Sequence, residues 1–346
     1  MKTALLIKYG NIEDAFSVCD FPEPRVKPDE ILLRVKFTAL NHIDIWMRIG
    51  SPYRVKLPHI MGSDICGQVV QEDKEGTLKE RNIKEGDTVV IFPSITCGSC
   101  LWCLSGEESM CEKGKSIGVH LFGGYSELVS VPAKNVYKKP QNLTEEETTA
   151  LPLAGITALH MFSKANVKPF DTVLIPSVGS GVGMFLLFLS KLSGLTVIAT
   201  SSKDEKLKRA KEMGADFTIN HTDTNWFKKV LEITEKGVDV AFEYIGGEFI
   251  NQVISCVSKN GKIVTCGNTK AENSNIDIRS IFSKQITIIG SMGGKRAEFE
   301  KLLKISESGK VKPYIDSIFP LEDVKSAHKR LEKGEAFGKI LLSMKQ

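Results

Sequence analysis

The strongest constraint on the fold is a regular alternation of strand-like and helix-like segments between residues 172 and 290. Short β-branched runs alternate with longer helical ones along this stretch. Alternating β and α units at this spacing predict an α/β fold with a doubly wound parallel sheet and right-handed crossovers. The predicted strands are residues 172–176, 195–200, 218–220, 238–243, 262–266 and 285–290, and the predicted helices are residues 182–192, 203–213, 226–234 and 248–257.

The rest of the chain has a different character, and 346 residues exceed what one ordinary core holds. Thr144 and Glu147 have the spacing of a helix capping box and mark the change of pattern. Before them lie β-rich runs, and after residue 290 the chain returns to mixed structure. We predict a β-rich domain from residues 1–153 and 290–346 and an α/β domain from residues 154–289. The predicted strands of the β-rich domain are residues 30–37, 88–92, 127–131 and 339–343.

Composition argues against several function classes. An apolar content of 42% and a charged content of 25% are those of an ordinary globular protein, and a net charge of +4 without a basic block argues against nucleic acid. The apolar run Ala4 to Ile7 is short and precedes no small-residue cleavage site, so it predicts a first strand rather than a signal peptide. The most apolar segment, residues 183–192, is too short to span a bilayer. We expect a cytoplasmic protein with a small-molecule substrate, no nucleic-acid partner and no membrane association.

The turn after residue 176 is rich in glycine. It reads Ser-Val-Gly-Ser-Gly-Val-Gly and precedes an apolar helix. Backbone amides in such a turn approach a pyrophosphate, and the helix N-terminus adds favourable partial charge. Val178 and Ser180 occupy the first two glycine positions of G-x-G-x-x-G, so an ordinary helix-entry turn is the alternative. The predicted cofactor-binding residues here are Ser177, Gly179, Ser180, Gly181, Val182 and Gly183.

The end of the second predicted strand indicates which dinucleotide binds. A NAD site places Asp or Glu about twenty residues after the glycine-rich turn, whereas residues 199–203 read Ala-Thr-Ser-Ser-Lys and the first carboxylate is Asp204. Hydroxyls followed by lysines suit a 2′-phosphate, so we predict NADP(H); the alternative is that the lysines form a solvated helix face. The predicted contacts are Ser201, Ser202, Lys203 and Lys206, with His221 and Gly267.

Four of the eight cysteines form a local cluster within residues 94–115. The spacing is C-x2-C-x2-C-x7-C, and four thiolates at such spacing form a closed tetrahedral zinc site. A closed site leaves no position for substrate, so this zinc would be structural. An iron–sulfur cluster is the alternative. The predicted ligands of one zinc ion are Cys97, Cys100, Cys103 and Cys111.

Together these features resemble the medium-chain dehydrogenase/reductase family over the full length of the chain. The resemblance implies a GroES-like β-rich catalytic domain, with the four-cysteine lobe, interrupted by a Rossmann domain. It also implies a homodimer or a homotetramer. The motifs that carry it are Gly62-x4-Gly67, Gly86-Asp87-x-Val89, Gly123-Gly124-Tyr125-Ser126-Glu127 and Gly338-Lys339-Ile340.

The departures from that family concern its catalytic zinc. Zinc alcohol dehydrogenases have metal ligands where this chain has Asn41, Ser63 and Leu153. Ile43 stands where they begin a proton relay. The resemblance therefore implies that a conventional catalytic zinc is absent. Asn41-x-x-Asp44 instead resembles the quinone oxidoreductase and enoyl reductase branches, which implies NADPH-dependent chemistry without that metal.

A conjugated acceptor suits a site without metal or relay, because its developing charge spreads onto a distant oxygen. We predict an NADPH-dependent oxidoreductase that reduces an enone, an enoyl thioester or a quinone. Asn41 would donate a hydrogen bond to that oxygen, Asp44 would support the loop, and Thr157 would face the nicotinamide amide. Two alternatives stay open. One is a non-catalytic NADPH-binding protein, and the other is a zinc alcohol dehydrogenase with a site rebuilt from His42, His59, Asp44 or Asp64.

Overall fold

The computed structural model describes residues 1–270 and 273–344. The chain divides into two compact units, Met1–Ala154 with Lys295–Gln346 and Gly155–Gly294. The predicted second boundary, at residue 289, lies five residues before the boundary in the structure, at residue 294. Among the described residues, no helix is both long and apolar enough to cross a bilayer.

The first unit is mostly β-structure. Its first strands are β1 (Lys2–Leu6), β2 (Phe16–Asp20), β3 (Glu30–Ala39), β4 (His59–Ile60), β5 (Asp64–Gln71), β6 (Thr88–Ile91), β7 (Ser94–Ile95), β8 (Lys115–Ser116), β9 (Leu128–Pro132) and β10 (Val136–Lys138). Its first helices are α1 (Ile12–Ala15), α2 (His42–Ile49), α3 (Thr77–Glu80), α4 (Leu101–Leu104) and α5 (Glu145–Thr149), with 3₁₀ turns at Glu108–Met110 and Ala133–Asn135.

Strands and helices alternate in the second unit. Its strands are β11 (Thr172–Ile175), β12 (Thr196–Ser201), β13 (Phe217–Asn220), β14 (Val238–Glu243), β15 (Val257–Thr265) and β16 (Thr287–Gly290). Its helices are α6 (Pro152–Ala165), α7 (Gly181–Leu192), α8 (Asp204–Glu212), α9 (Trp226–Thr234), α10 (Phe249–Cys256) and α11 (Ile278–Lys284). The chain then completes the first unit with α12 (Arg296–Glu307), β17 (Ile315–Pro320), a 3₁₀ turn at Leu321–Asp323, α13 (Val324–Glu332) and β18 (Lys339–Ser343).

The sheet of the second unit is entirely parallel, with strand order β13-β12-β11-β14-β15-β16. Counted from β11 this is order 3-2-1-4-5-6, that of doubly wound dinucleotide-binding sheets. The order confirms the predicted parallel sheet. Ligands of such sheets bind beyond the carboxyl ends of the strands where the order reverses, here between β11 and β14.

The main sheet of the first unit has the order β10-β6-β5-β3-β18-β17, and β9 also pairs with β3. Alternation along β3 buries Ile31, Leu33 and Val35 in the core and leaves Arg34 exposed. The register pairs Ala39 with Asp64 on one side and with Leu341 on the other. The end of β3 and the starts of β5 and β18 therefore meet at one edge of the sheet.

Candidate functional site

The glycine-rich turn lies between the end of β11 and the start of α7. Ser180 is the N-cap of α7, and its Oγ accepts a hydrogen bond from Gly183 N at 3.0 Å. A Cβ at Gly183 would lie 2.6 Å from the Tyr244 hydroxyl and 2.8 Å from Ser177 O, so glycine alone fits without displacement. The predicted residues of this turn thus surround a helix N-terminus, where backbone N–H groups and the helix dipole favour a phosphate.

Tyr244, which is not among the predicted site residues, supports the same turn. The side chain follows β14, is 7% exposed, and its hydroxyl donates to Pro176 O at 2.5 Å. Ser180 Oγ donates to that hydroxyl at 3.2 Å. Burial raises the pKa of the phenol, which keeps it a neutral donor. In the sequence, Tyr244 is recognisable only as the residue that follows Glu243 at the end of β14. This position does not predict its contact with the glycine-rich turn.

The end of β12 carries the side chains predicted to recognise a 2′-phosphate. Ser201 Oγ accepts from Lys203 N at 3.3 Å, and His221 Nδ1 lies 2.8 Å from Thr200 Oγ1. Burial, with a smaller effect of the Lys270 ammonium, lowers the pKa of His221 to about 4, so the ring is neutral at pH 7. The first carboxylate, on Asp204, accepts from Asn220 Nδ2 at 2.7 Å. The predicted Gly267, beyond β15, accepts a hydrogen bond on its carbonyl oxygen from Thr265 Oγ1 at 3.3 Å.

The four predicted zinc ligands lie together in the lobe formed by β7, α4 and β8. Their sulfur atoms are all within 4.8 Å of one another. Cys103 Sγ lies 3.5 Å from Cys100 Sγ and 3.9 Å from Cys97 Sγ. A tetrahedral zinc with Zn–S bonds of about 2.3 Å separates its sulfurs by about 3.8 Å. The cluster therefore fits a closed, structural zinc site.

Backbone groups of the lobe favour the thiolates of Cys97 and Cys100, whereas burial raises the pKa of Cys103 to about 12. Hydrogen bonds from the backbone N–H groups of Ser99 and Cys100 lower the pKa of Cys97 to about 5. The lobe is also anchored within its unit, since Lys295 Nζ lies 2.5 Å from Glu107 Oε1 and Arg296 N donates to Glu108 Oε2 at 2.8 Å. These contacts connect the lobe to the start of α12.

Three polar side chains meet where β3, β5 and β18 converge. Lys339 Nζ donates to Leu40 O at 2.8 Å, to Asn41 Oδ1 at 2.6 Å and to Asp64 Oδ2 at 2.9 Å. Asn41 Nδ2 donates to the same Asp64 oxygen at 2.8 Å, and the other carboxylate oxygen accepts from Leu153 N at 2.7 Å. The side chains of Lys339 and Asp64 are 3% and 0% exposed. Lys339 is not among the predicted site residues.

Asp44 lies beside this cluster at the start of α2. Its Oδ2 accepts a hydrogen bond from Asn41 N at 2.8 Å, which holds the loop between β3 and α2. Burial raises the pKa of Asp44 to about 7, although this hydrogen bond and the Lys339 ammonium act in the opposite direction. A hydrogen bond with the Tyr125 hydroxyl also acts to lower the pKa of Asp44. The same hydroxyl lies 3.3 Å from His328 Nε2.

The residues where β3, β5 and β18 converge do not fit a second zinc. Within residues 1–270 and 273–344, the four cysteines are the single group of three or more His, Cys, Asp or Glu side chains placed to hold a metal. Ser63 Oγ is buried without a hydrogen-bond partner in that part of the chain, and Asp64 is already paired with an ammonium. His59 Nε2 lies 3.1 Å from Gly118 O, and His42 packs edge-on against Trp46.

The predicted catalytic residues are distributed over both units. Asn41 and Asp44 belong to the first unit, whereas Thr157, on α6, belongs to the second. Thr157 is half-buried. Its predicted contact with the nicotinamide amide stays a prediction.

Two protein-family models match the chain. The alcohol dehydrogenase GroES-like domain matches residues 27–141, and the zinc-binding dehydrogenase domain matches residues 181–308. The first match lies within the first unit, whereas the second begins at the start of α7 in the second unit and continues to residue 308, past the end of that unit at Gly294. The matches confirm the predicted combination of a GroES-like and a Rossmann-type domain.

Relatives match over nearly the whole chain. The NAD-dependent alcohol dehydrogenase of Sulfolobus acidocaldarius is 29% identical, with 99% of this chain and 100% of the relative covered. An alcohol dehydrogenase of Geobacillus stearothermophilus is 31% identical, with 99% and 100% covered. A solved structure of an NAD-dependent alcohol dehydrogenase is 36% identical, covers 99% of both chains and superposes with a TM-score of 0.93. The chain thus belongs to the medium-chain dehydrogenase/reductase superfamily, among relatives of the zinc-type alcohol dehydrogenases, and is an oxidoreductase for which a nicotinamide cofactor is expected.

Proposed function

We propose that the chain is an NADPH-dependent oxidoreductase that reduces a conjugated carbonyl, such as an enone or enoyl thioester, or a quinone, without a metal at the reacting centre. The observation that carries this proposal is the Lys339 ammonium bonded to Asn41 and Asp64. It stands among the positions where the related alcohol dehydrogenases are expected to bind their catalytic zinc.

The chemistry follows from what these side chains offer. When bound, reduced nicotinamide supplies a hydride. One Nδ2 hydrogen of Asn41 is committed to Asp64 at 2.8 Å, and the other makes a long contact with Ala39 O at 3.4 Å. Replacing that weak contact with a hydrogen bond to a substrate oxygen costs little free energy. Asn41 can therefore donate one hydrogen bond to an enolate-like oxygen. Asp44 holds the Asn41 backbone, and Thr157 is proposed to face the nicotinamide amide.

The acceptor class is tested by steady-state kinetics. NADPH oxidation with an enone, an enoyl thioester and a quinone is compared with oxidation of primary and secondary alcohols. Asn41→Ala should lower turnover with the preferred conjugated acceptor by about 10²–10³, the usual effect of losing one such donor. The NADPH dissociation constant should change less than about twofold, because Asn41 is assigned to the acceptor. Alcohol oxidation that a chelator abolishes, without activity on conjugated acceptors, would refute the proposal.

The preference for NADPH rests on the end of β12. No carboxylate follows Thr200 until Asp204, whose side chain is held by Asn220. Hydroxyls and lysines remain near the expected 2′-position, and the Lys270 ammonium adds positive potential at His221. Such groups suit a phosphate dianion better than a free hydroxyl.

Fluorescence titration tests this preference. Lys206→Ala should weaken NADPH about tenfold or more, since a charge-assisted contact contributes about 1.5–3 kcal/mol, and should barely change NADH. Lys208→Ala, on the same helix and exposed, is the matched control and should change neither. Equal effects of Lys206→Ala on both cofactors, or tighter binding of NADH by the unmodified protein, would contradict the assignment.

A second candidate is a zinc-dependent alcohol dehydrogenase that uses NAD, because the similar proteins are named NAD-dependent alcohol dehydrogenases. It requires a metal site that the described residues do not provide around Asn41. Two tightly bound zinc equivalents together with chelator-sensitive alcohol oxidation would favour this candidate. Cofactor binding without turnover on any of these substrates would instead indicate a non-catalytic NADPH-binding protein.

A further inference from the structure

The second unit contains a cavity at the amino edge of its parallel sheet. Its volume is about 640 Å³, within the range of about 300–1,000 Å³ that is typical of small-molecule sites. Thr172, Thr196 and Phe217, the first residues of β11, β12 and β13, line it together with Asp239 of β14. The glycine-rich turn lies at the opposite, carboxyl edge of the sheet. Since a strand rises about 3.3 Å per residue, the two ends of β12 lie about 16 Å apart, and the cavity is separate from the predicted cofactor site.

Two irregular segments form walls of this cavity. One is the connection between α9 and β14. The other is residues 258–261 of β15, which leave the ladder because the pairing with β14 passes from Val257 directly to Lys262. Each segment contributes one lysine to the lining, Lys236 from the first and Lys259 from the second. The sheet therefore does not fill the space beyond its amino edge, and two lysines from separate segments face that space.

The lining of the cavity carries more positive than negative charge. In the part of the chain that the structure describes, neither the Lys236 nor the Lys259 ammonium has a hydrogen-bond or ion-pair partner. The carboxylate of Asp239 lies in the same lining, but its Oδ2 already accepts a hydrogen bond from Thr172 N at 2.8 Å. Two unpaired ammonium groups beside one hydrogen-bonded carboxylate favour an anionic ligand.

Apolar side chains lie in the same lining. Phe217 is 41% exposed, and Ile233, in the last turn of α9, is 36% exposed. A phenylalanine ring that is left open at the start of a strand offers a flat surface on which an aromatic ligand can stack. The lining thus combines positive charge with apolar surface, which is the chemistry that recognises an amphipathic anion.

We propose that this cavity is a second ligand-binding site, which takes a small organic anion with a flat apolar body. The sulfonate, phosphate or carboxylate of this ligand pairs with Lys236 and Lys259. Its ring packs on Phe217 and Ile233. All four residues belong to the second unit, so the site does not rest on the reaction assigned to Asn41.

Fluorescence titration with 8-anilino-1-naphthalenesulfonate tests the site, because this probe carries a sulfonate on an aromatic body. Saturating NAD⁺ and NADP⁺ are present throughout, which closes the dinucleotide site to the probe. The unmodified protein should bind about one equivalent. Lys236→Ala/Lys259→Ala should weaken binding about tenfold or more, since two charge-assisted contacts are lost. Lys208→Ala/Lys228→Ala removes the same charge from exposed positions on α8 and α9 and should bind the probe as the unmodified protein does.

A second probe, N-phenyl-1-naphthylamine, has the same ring system without the sulfonate and separates charge recognition from general apolar binding. It should bind the unmodified protein at least about tenfold more weakly, because it makes no charge-assisted contact. Lys236→Ala/Lys259→Ala should not change its binding. Equal affinity of the two double variants for the sulfonate, or equal affinity of the unmodified protein for both probes, would overturn the proposal. Absence of sulfonate binding by the cofactor-saturated protein would overturn it as well.

Discussion

Asp44 is the residue whose protonation should be visible in the stability of the whole fold. Burial raises its pKa from 3.8 to about 7, with Lys339, Asp64 and Tyr125 as its charged or polar neighbours. The folded chain therefore holds a proton on Asp44 over a range of pH where the unfolded chain has lost it. Because the folded state binds more protons between about pH 4 and pH 7, this group lowers the free energy of unfolding as pH rises through that window.

Asp44→Asn tests this directly. Asparagine keeps an oxygen for the Asn41 N–H but cannot ionise. Urea unfolding at pH 4.5 and pH 7.5 should show that the variant gains stability relative to the unmodified protein as pH rises. A difference in unfolding free energy that does not change between the two pH values would show that Asp44 does not titrate in the folded chain.

The sequence revealed residue types at the site but not their partners. Lys339 and Asp64 are 275 positions apart, and Lys339 and Asn41 are 298 apart. Local periodicity carries no information about contacts at such separations, because they depend on the register of β3, β5 and β18. The four cysteines could be grouped from the sequence because their spacing along the chain is itself typical of a zinc site. The role of Tyr244 could not be predicted in this way, because its contact with the glycine-rich turn joins the end of β14 to the end of β11.

At the scale of elements, bounds followed the sequence closely where periodicity and flanking residues agreed. Helix α9 and strands β14 and β18 have the predicted bounds, and Thr144 makes the predicted capping box. Strand β15 begins earlier than predicted, at Val257 instead of residue 262. The sequence Ser-Lys-Asn-Gly there is typical of a turn, and it forms an irregularity within β15, where the pairing with β14 passes from Val257 directly to Lys262 and Asn260 has a positive φ of 61°.

The four-cysteine lobe is the segment whose structure should depend on a bound zinc ion. Cys103→Ser should lower zinc content from about one equivalent to near zero by elemental analysis, because three thiolates bind zinc far less tightly than four. Residues 97–111 should then lose amide protection, whereas the core strands β3 and β5 should retain it. Cys19→Ser, in β2 and outside the cluster, is the control and should keep its zinc. Full zinc content in Cys103→Ser would contradict the assigned ligand set.

At the scale of the whole molecule, the edge strand β16 is the feature that favours association of two copies of the chain. It lies at the edge of the parallel sheet and pairs with β15 on one side. Ile288 on the strand is 37% exposed, and Phe282 and Met292 nearby are 67% and 71% exposed. Within residues 1–270 and 273–344, β16 has no strand on its other side, and an edge strand of this kind flanked by exposed apolar side chains is a template for strand pairing. A two-fold axis would pair β16 with its own copy in antiparallel fashion.

We therefore propose that the chain forms a homodimer through β16, or a homotetramer that contains this dimer. Ile288→Lys places a charge in the expected interface and should shift the chain toward monomer in sedimentation velocity at micromolar concentrations, because burying two unpaired ammonium groups is unfavourable. Phe170→Lys, an equivalent apolar-to-charged change at a side chain that is 89% exposed elsewhere in the same unit, should leave the assembly unchanged. A monomeric unmodified protein, or an Ile288→Lys variant with unchanged mass, would show that copies do not associate through this edge.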